Sequence, residues 1–284
     1  MFPVLFSIGG MSISSFGVFL VLGFLFGIFL IWRLSRAWDL DEEKVLDLIL
    51  LTFIGALAGA RFYFAIENWH LFAASPFNLI LINKVPGFSF WGGFSGGWLT
   101  LFFLSRRRRF NFWQLTDIAI PGLLGGLIFA DLGCFLGGCN IGVPSKLFFA
   151  VTQVGSVGKR IPVQVIESLI LAIILVKIWS QATHFHQRGK IAGLGLSLIG
   201  GTKLLAELFK QSHSDGIFAG SLFVLGLVIL YKATKQSPVD YFTDLVRNLT
   251  LQNLSRYWYN QKTNASWQIR NLKKILRRKN VKFS

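Results

Sequence analysis

The chain has 284 residues, of which 53% are hydrophobic and only 15% carry a charge. A soluble domain carries about 25% charged residues, so this composition, with a mean hydropathy of +0.55, excludes an ordinary soluble domain. It indicates a helical protein that crosses a membrane several times. The two cysteines are too few for a disulfide framework, and neither a CxxC nor a His-x-x-x-His spacing occurs. We therefore expect no metal ion and no cofactor.

Apolar runs in chain order predict an all-α membrane protein with about seven spans, each near the ~20 residues that a bilayer requires. The runs cover residues 15–32, 46–64, 88–104, 118–136, 163–179, 191–208 and 217–231. We interpret residues 1–235 as one membrane domain. We expect its helices to surround a cavity that binds lipid.

Positive charge predicts the orientation of the spans, because cytoplasmic segments are enriched in Lys and Arg. With the N-terminus outside, the inner segments hold 21 Lys and Arg residues and the outer segments hold five. Four consecutive arginines at residues 106–109 mark the inner side most clearly. The sequence therefore predicts an outside N-terminus and an inside C-terminus.

The C-terminal tail, residues 236–284, is strongly basic. From residue 232 to the end the chain has twelve Lys and Arg residues and two Asp residues, and so a net charge of +10. Such a tail forms amphipathic helices in the lipid headgroup layer or stays disordered, and the sequence leaves both open. Contact with anionic lipid is a simpler account than nucleic-acid binding, which we do not expect. No long heptad pattern appears, so a monomer is predicted.

Residues 130–145 combine several features that are costly inside a membrane. Asp131 lies at a depth where a span should be apolar, and Cys134 and Cys139 follow it. Gly133 and Gly142 remove side chains and let backbone or ligand approach closely. A polar cavity and a tightly packed helix end with two small buried thiols are both consistent with this pattern.

Polar residues in the other spans form a second candidate group. Arg61 and Lys203 are cations that could reach a lipid phosphate. Glu167 and Glu207 could orient those cations or accept a proton, and Gln164 shares a helix face with Glu167. Lys203 and Glu207 are four residues apart and able to pair on one face. Ion pairs between helices, without any ligand, are the alternative.

Residues 90–98 form an unusual run of paired glycines and tryptophans that includes Gly92 and Gly93. Paired glycines allow a backbone break or a close helix contact. On the sequence alone, a packing motif is favoured here over a binding element.

The order of these motifs resembles that of the prolipoprotein diacylglyceryl transferase family. Residues 2–9 are similar to its N-terminal arm, residues 59–61 match its Gly-Ala-Arg element, and residues 87–93 resemble its Gly-Met-Ser-Phe-His-Gly-Gly. Residues 117–122 resemble its Asp-x-x-x-Pro segment, and residues 131–142 lie where its signature Arg-x-Gly-Asn-Phe-x-Asn-x-Glu-x-x-Gly belongs. Residues 162–167 resemble Pro-Ser-Gln-Leu-Tyr-Glu, and residues 200–207 resemble Gly-x-x-Arg-x-x-x-Glu.

Several residues depart from the family pattern, and the family's first-span tyrosine falls near Phe16. Trp91 replaces its histidine, and Asp131 replaces the signature arginine that contacts the phosphate of phosphatidylglycerol. Cys134 and Cys139 replace an asparagine and a glutamate. Lys203 replaces an arginine, which keeps the charge but loses the bidentate fork. We expect a buried Asp131 to be protonated or to pair with Lys203.

The resemblance implies an enzyme of the bacterial plasma (inner) membrane. It would transfer the diacylglyceryl group of phosphatidylglycerol to the lipobox cysteine in the signal peptide of a prelipoprotein. The catalytic residues implied are Glu167, Glu207 and Lys203. The substrate-binding residues implied are Arg61, Gln164, Lys203, Gly92, Gly93, Gly133, Gly142, Asp131, Cys134 and Cys139.

Two alternatives stay open at this level. A non-catalytic member of the family would bind lipid or signal peptides without transfer. A membrane thiol protein would use Cys134 and Cys139 as a redox pair, which requires their sulfurs to lie about 2 Å apart when oxidised.

Overall fold

The structure, a computed structural model, describes residues 4–8, 11–73, 75–79, 81, 85, 87–153, 155–184, 186–211 and 215–237. Apart from its first two residues, the predicted basic tail lies outside the described residues. The boundary at residue 235 and both interpretations of the tail therefore stay predictions.

An antiparallel hairpin of β1 (Val4–Ile8) and β2 (Met11–Ser14) leads directly into the first long helix, α1 (Ser15–Ala37). Ser14 caps this helix, because its hydroxyl oxygen accepts the backbone N–H of Gly17 at 3.2 Å. Strand β1 lies in the segment that resembles the N-terminal arm of the family.

Helices form most of the described chain, which confirms the prediction of a mostly helical membrane protein. After α1 they are α2 (Glu42–Glu67), the single turn α3 (Trp69–Phe72), α4 (Phe90–Arg107), α5 (Phe112–Gly137), α6 (Val163–Ala182), α7 (Lys190–Glu207) and α8 (Gly216–Thr234). A 3-10 turn at Pro76–Leu79 and a second antiparallel pair, β3 (Val151–Thr152) with β4 (Lys159–Arg160), lie in the connections.

Five of the described helices, α1, α2, α5, α6 and α8, are long and apolar enough to cross a membrane. The sequence predicted about seven spans, and the two further predicted runs coincide with α4 and α7, which are 18 residues each. Helix α4 contains four glycines and two arginines, and α7 contains three charged residues. These residues lower the hydropathy of both helices, so a multi-pass membrane fold is established while the count of seven is not.

Short connections bring helix ends together on one side of the bundle. Between α1 and α6, the indole Nε1 of Trp38 donates to the carbonyl of Ala182 at 2.9 Å. The buried carboxylate of Asp117 on α5 accepts the backbone N–H groups of Gly189 and Ala192 at 2.6 and 2.7 Å. Asp117 thereby caps the N-terminus of α7 and places a negative charge at the positive end of its dipole.

Glycines allow close backbone contact within two helix pairs, α1 with α5 and α2 with α4. A Cβ at Gly27 of α1 would lie 2.8 Å from the carbonyl oxygen of Gly122 on α5. On α4, a Cβ at Gly96 would lie 2.8 Å from the carbonyl oxygen of Gly55 on α2. Small residues at such crossings maximise van der Waals contact where no hydrophobic effect drives association. The two contacts bring the candidate residues of α2, α4 and α5 to the opposite end of the bundle from Trp38.

Candidate lipid site

A buried lysine lies between two carboxylates where α5, α6 and α7 meet. Lys203 Nζ is 3.3 Å from Asp131 Oδ1 and forms a second ion pair with Glu167 Oε1. The side chains of Lys203, Asp131 and Glu167 are 13%, 11% and 3% exposed, respectively. We call these three residues the lysine cluster. The pairing of Asp131 with Lys203, one of the two alternatives expected from the sequence, is thus present.

The lysine cluster carries one excess negative charge when both carboxylates are ionised. Uncompensated charge of this kind is expensive in the low dielectric of a membrane. In addition, Asp131 Oδ2 has no hydrogen-bond partner within the described part of the chain. The cluster is therefore a place where a proton or a polar ligand group is favoured.

Glu207, four residues after Lys203, forms an ion pair with Lys210. Its Oε2 lies 3.4 Å from Nζ of Lys210, and its Oε1 accepts the backbone N–H of Asp215 at 3.0 Å. Glu207 thus holds the connection between α7 and α8. Its predicted catalytic role stays a prediction.

The guanidinium group of Arg61 donates hydrogen bonds to four backbone carbonyls. It donates to Leu79 and Asn78 at 2.9 and 2.7 Å and to Val85 and Gly87 at 2.8 and 2.9 Å. These carbonyls belong to the segment between α3 and α4, so the side chain organises that connection. Its predicted contact with a lipid phosphate stays a prediction, and such a contact would compete with these bonds.

Gln164 at the start of α6 binds the segment that follows α5. Its Nε2 donates to the carbonyls of Cys139 and, at 2.7 Å, Asn140. Its Oε1 accepts from Nε2 of Gln153 at 3.4 Å, and Oε1 of Gln153 accepts the N–H of Gly142 at 3.1 Å. A Cβ at Gly142 would overlap the carbonyl oxygen of Ile161, so only glycine fits there.

Three other predicted glycines lie at helix contacts. Gly92 packs against the backbone of Gly59 on α2, and Gly93 lies 3.3 Å from the methyl group of Ala60, measured from an ideal Cβ. An ideal Cβ at Gly133 would lie 2.7 Å from the Cβ atom of Phe19 on α1. The packing interpretation of the glycine run is therefore the one that the contacts support.

An apolar cavity of about 340 Å³ lies between α1, α2, α4 and α5. Its lining includes Phe90, Gly93, Phe94, Gly126 and Ala130. Ala130 directly precedes Asp131, and the ring of Phe90 lies 5.4 Å from Lys203 Nζ. The cavity volume falls within the range of ligand pockets, ≈ 300–1,000 Å³. An apolar chamber next to a buried charge cluster suits an amphipathic ligand.

A sequence model of the prolipoprotein diacylglyceryl transferase family matches residues 3–243. The chain belongs to this family. Among its relatives, a phosphatidylglycerol–prolipoprotein diacylglyceryl transferase of Synechococcus elongatus is 27% identical over 267 residues, covering 83% of this chain and 90% of that protein. One from Finegoldia magna is 26% identical over 228 residues, covering 79% and 89%. One from Deinococcus radiodurans is 37% identical over 142 residues, covering 49% of this chain and 42% of that protein.

Sequence reasoning missed three polar residues of this family member. Gln153 is 4% exposed and links Gln164 to Gly142. Arg160 donates to the carbonyl of Gly142 at 3.0 Å, and Lys210 pairs with Glu207. All lie in connections between helices, where no periodicity indicates burial. The only available signal was that they are polar residues flanking recognised motifs.

Cys134 and Cys139 are joined by a disulfide at the end of α5, with Cα atoms 5.1 Å apart. The disulfide joins the two residues of the thiol-pair alternative, and the redox cycling that this alternative predicts stays a prediction. The disulfide ties α5 to the segment that Gln164 binds.

We expect the Cys134→Ser/Cys139→Ser double variant to be less stable than wild type by about 2 kcal/mol, because a short cross-link no longer restrains the unfolded chain. Thermal unfolding in detergent, with and without reductant, measures this effect. Reductant should shift wild type toward the variant and leave the variant unchanged. Equal stability of both proteins would contradict a structural role for the disulfide.

Proposed function

We propose that this chain transfers the diacylglyceryl group of phosphatidylglycerol to the lipobox cysteine of prelipoproteins in a bacterial plasma (inner) membrane. Membership of the family and the names of the relatives support this activity. The single observation that carries it is a lysine buried between two carboxylates beside an apolar cavity. The proposal includes seven spans, with the N-terminus outside and the C-terminus inside.

The reaction needs one bond to form and one to break. The cysteine sulfur attacks the glycerol carbon that carries the phosphate, so a C–S bond forms and a C–O bond breaks. The diacylglyceryl group stays on sulfur, and glycerol phosphate leaves with the electron pair. The thiol proton must go to a base, and the charge that grows on the phosphate needs a cation.

The lysine cluster can serve both needs. Glu167 accepts the thiol proton, which removes the cluster's excess negative charge at the moment when charge grows on the leaving phosphate. Lys203, released from one of its two ion pairs, then stabilises that phosphate. In this proposal Oδ2 of Asp131, which has no hydrogen-bond partner among the described residues, accepts a hydrogen bond from a hydroxyl of the glycerol headgroup.

The apolar cavity holds part of an acyl chain of the bound lipid. Its lining residue Phe90 contacts Lys203, so a lipid with its phosphate at Lys203 would direct a chain into the cavity. In this proposal Arg61, Gln164 and Glu207 hold the connections around the cavity in shape. Gly92, Gly93, Gly133 and Gly142 bring its walls close together.

The proposal is tested with purified protein in bilayers that contain phosphatidylglycerol with a labelled diacylglyceryl group. A lipobox peptide is added, and transfer of label to the peptide is followed over time. We expect transfer to the cysteine peptide and none to a matched peptide with serine in place of that cysteine.

Failure to transfer, in an assay where another family member works, would contradict the proposed activity. Retention of labelled lipid in that case would favour the non-catalytic alternative, and absence of retention would reject both.

A further inference from the structure

A second, smaller cavity lies between α2, α4 and α8 and has an unusual aromatic lining. It has a volume of about 330 Å³, and four of its eight lining residues are Tyr63, Trp91, Phe94 and Phe218. The indole of Trp91 stacks on the ring of Phe218 with centroids 5.4 Å apart. None of the eight lining residues has a side chain that carries a charge at neutral pH.

Trp91 is buried, at 8% exposure, and its indole nitrogen is not hydrogen-bonded by any of the described residues. A buried N–H donor without an acceptor costs about 1–3 kcal/mol of stability. Two nearby hydroxyls, those of Ser95 and Ser221, donate to backbone carbonyls of their own helices, and neither accepts from the indole. The cavity therefore offers an indole donor to any ligand that carries an acceptor oxygen.

The position of Trp91 relative to the lysine cluster indicates which oxygen this is. The ring of Phe90 lies 4.9 Å from the indole of Trp91 and 5.4 Å from Lys203 Nζ. One aromatic ring thus separates the indole donor from the lysine. In a phosphatidylglycerol whose phosphate lies at Lys203, the ester carbonyls are only a few bonds away and carry apolar chains. A neutral acceptor with an apolar body suits an aromatic cavity that lacks charged side chains.

We propose that Trp91 is a positioning residue whose indole N–H donates to an ester carbonyl of the bound phospholipid. This inference rests on the proposed function, because it assumes that a diacyl phospholipid is the ligand. The hydrogen bond would hold the glycerol backbone so that the carbon bearing the phosphate faces the incoming thiol. Trp91 itself does not touch the reacting atoms.

The test compares diester phosphatidylglycerol with its diether analogue, which keeps the headgroup and reacting carbon but lacks both carbonyls. Competition of each lipid against a fluorescent phosphatidylglycerol is measured on the purified full-length protein. We expect wild type to bind the diester about 5–10-fold more tightly, the effect of one buried hydrogen bond. In Trp91→Phe, which keeps an aromatic ring against Phe218, the ratio should fall to about one. Trp69→Phe is the matched control, because Trp69 is 68% exposed.

A second measurement follows the Trp91 indole signal of wild type. With ¹⁵N-labelled tryptophan, the indole resonance that is absent from Trp91→Phe belongs to Trp91. It should move downfield on addition of the diester and stay in place with the diether. The shift itself is measured on wild type, and the variant serves only to assign the resonance.

The outcomes separate this inference from the proposed function. The inference would be overturned, even if transfer occurs, by an equal ratio of diester to diether affinity in wild type and Trp91→Phe. It would also be overturned if neither lipid shifted the Trp91 indole resonance. A Trp91-dependent ratio without transfer would support it while the proposed activity fails. Binding of neither lipid would overturn the inference whatever the transfer assay reports.

Discussion

Lys203→Ala is expected to transfer the diacylglyceryl group at least about 100-fold more slowly than wild type, the usual cost of losing one group that stabilises developing negative charge. The substitution removes the cation nearest to the proposed phosphate position and leaves two buried carboxylates facing each other. Initial transfer rates to a lipobox peptide measure the effect. Because an unpaired buried charge costs about 3–5 kcal/mol, thermal unfolding of each variant is measured alongside.

Three comparisons separate chemistry from folding in this experiment. Lys203→Arg keeps the charge, and we expect it to retain transfer within about tenfold of wild type. Lys203→Ala/Asp131→Asn restores the net charge of the cluster without restoring the cation, so it should regain stability but not transfer. Lys44→Ala removes a lysine of an exposed ion pair with Asp41 and should transfer normally. Wild-type transfer by Lys203→Ala/Asp131→Asn would rule out Lys203 as the phosphate-binding group.

Glu167→Gln is expected to lower the transfer rate by about 100–1,000-fold at neutral pH, within the range for loss of a general base. Glutamine keeps the size of the side chain and can still accept a hydrogen bond from Lys203, but it cannot take a proton. The lipobox thiol must then ionise without help. Its pKa is about 8.5, so the rate of the variant should rise about tenfold per pH unit up to that value.

The pH profile distinguishes a base from a merely structural residue. Wild type should show a much weaker rise between pH 7 and about 8.5, because Glu167 already accepts the proton. Glu207→Gln is the informative comparison, since Glu207 contacts Lys210 and the backbone of Asp215. It should lose stability and show the pH profile of wild type. A Glu167→Gln profile parallel to that of wild type would contradict the proposed role of Glu167.

The fold class could be predicted from the sequence because it follows from local properties. Water is absent from a bilayer core, so each crossing segment must be a long apolar helix that satisfies its own backbone. Each predicted run therefore overlaps an observed helix of at least 18 residues. The motifs between and within those runs were enough to indicate the family, which the match over residues 3–243 then established.

Spacing along one helix did not predict the partners of the buried charges. Lys203 and Glu207 lie four apart and looked able to pair, yet Lys203 pairs with Glu167 on another helix. It also pairs with Asp131, 72 residues earlier in the chain, which the comparison with the family motifs, and not the spacing, had suggested. At low dielectric the strength of an ion pair depends on distance in space. That distance is set by how α5, α6 and α7 pack.

The hydrogen bonds within the connections between helices also could not be predicted from the sequence. Arg61 binds four carbonyls of an irregular segment, and Gln153 links Gln164 to Gly142. Irregular backbone has no periodicity that indicates which of its polar groups are buried. The sequence by itself thus determined the helices, the membrane environment and the family. Only the tertiary structure decided which side chains meet, because pairing depends on the packing of helices that are distant in the chain.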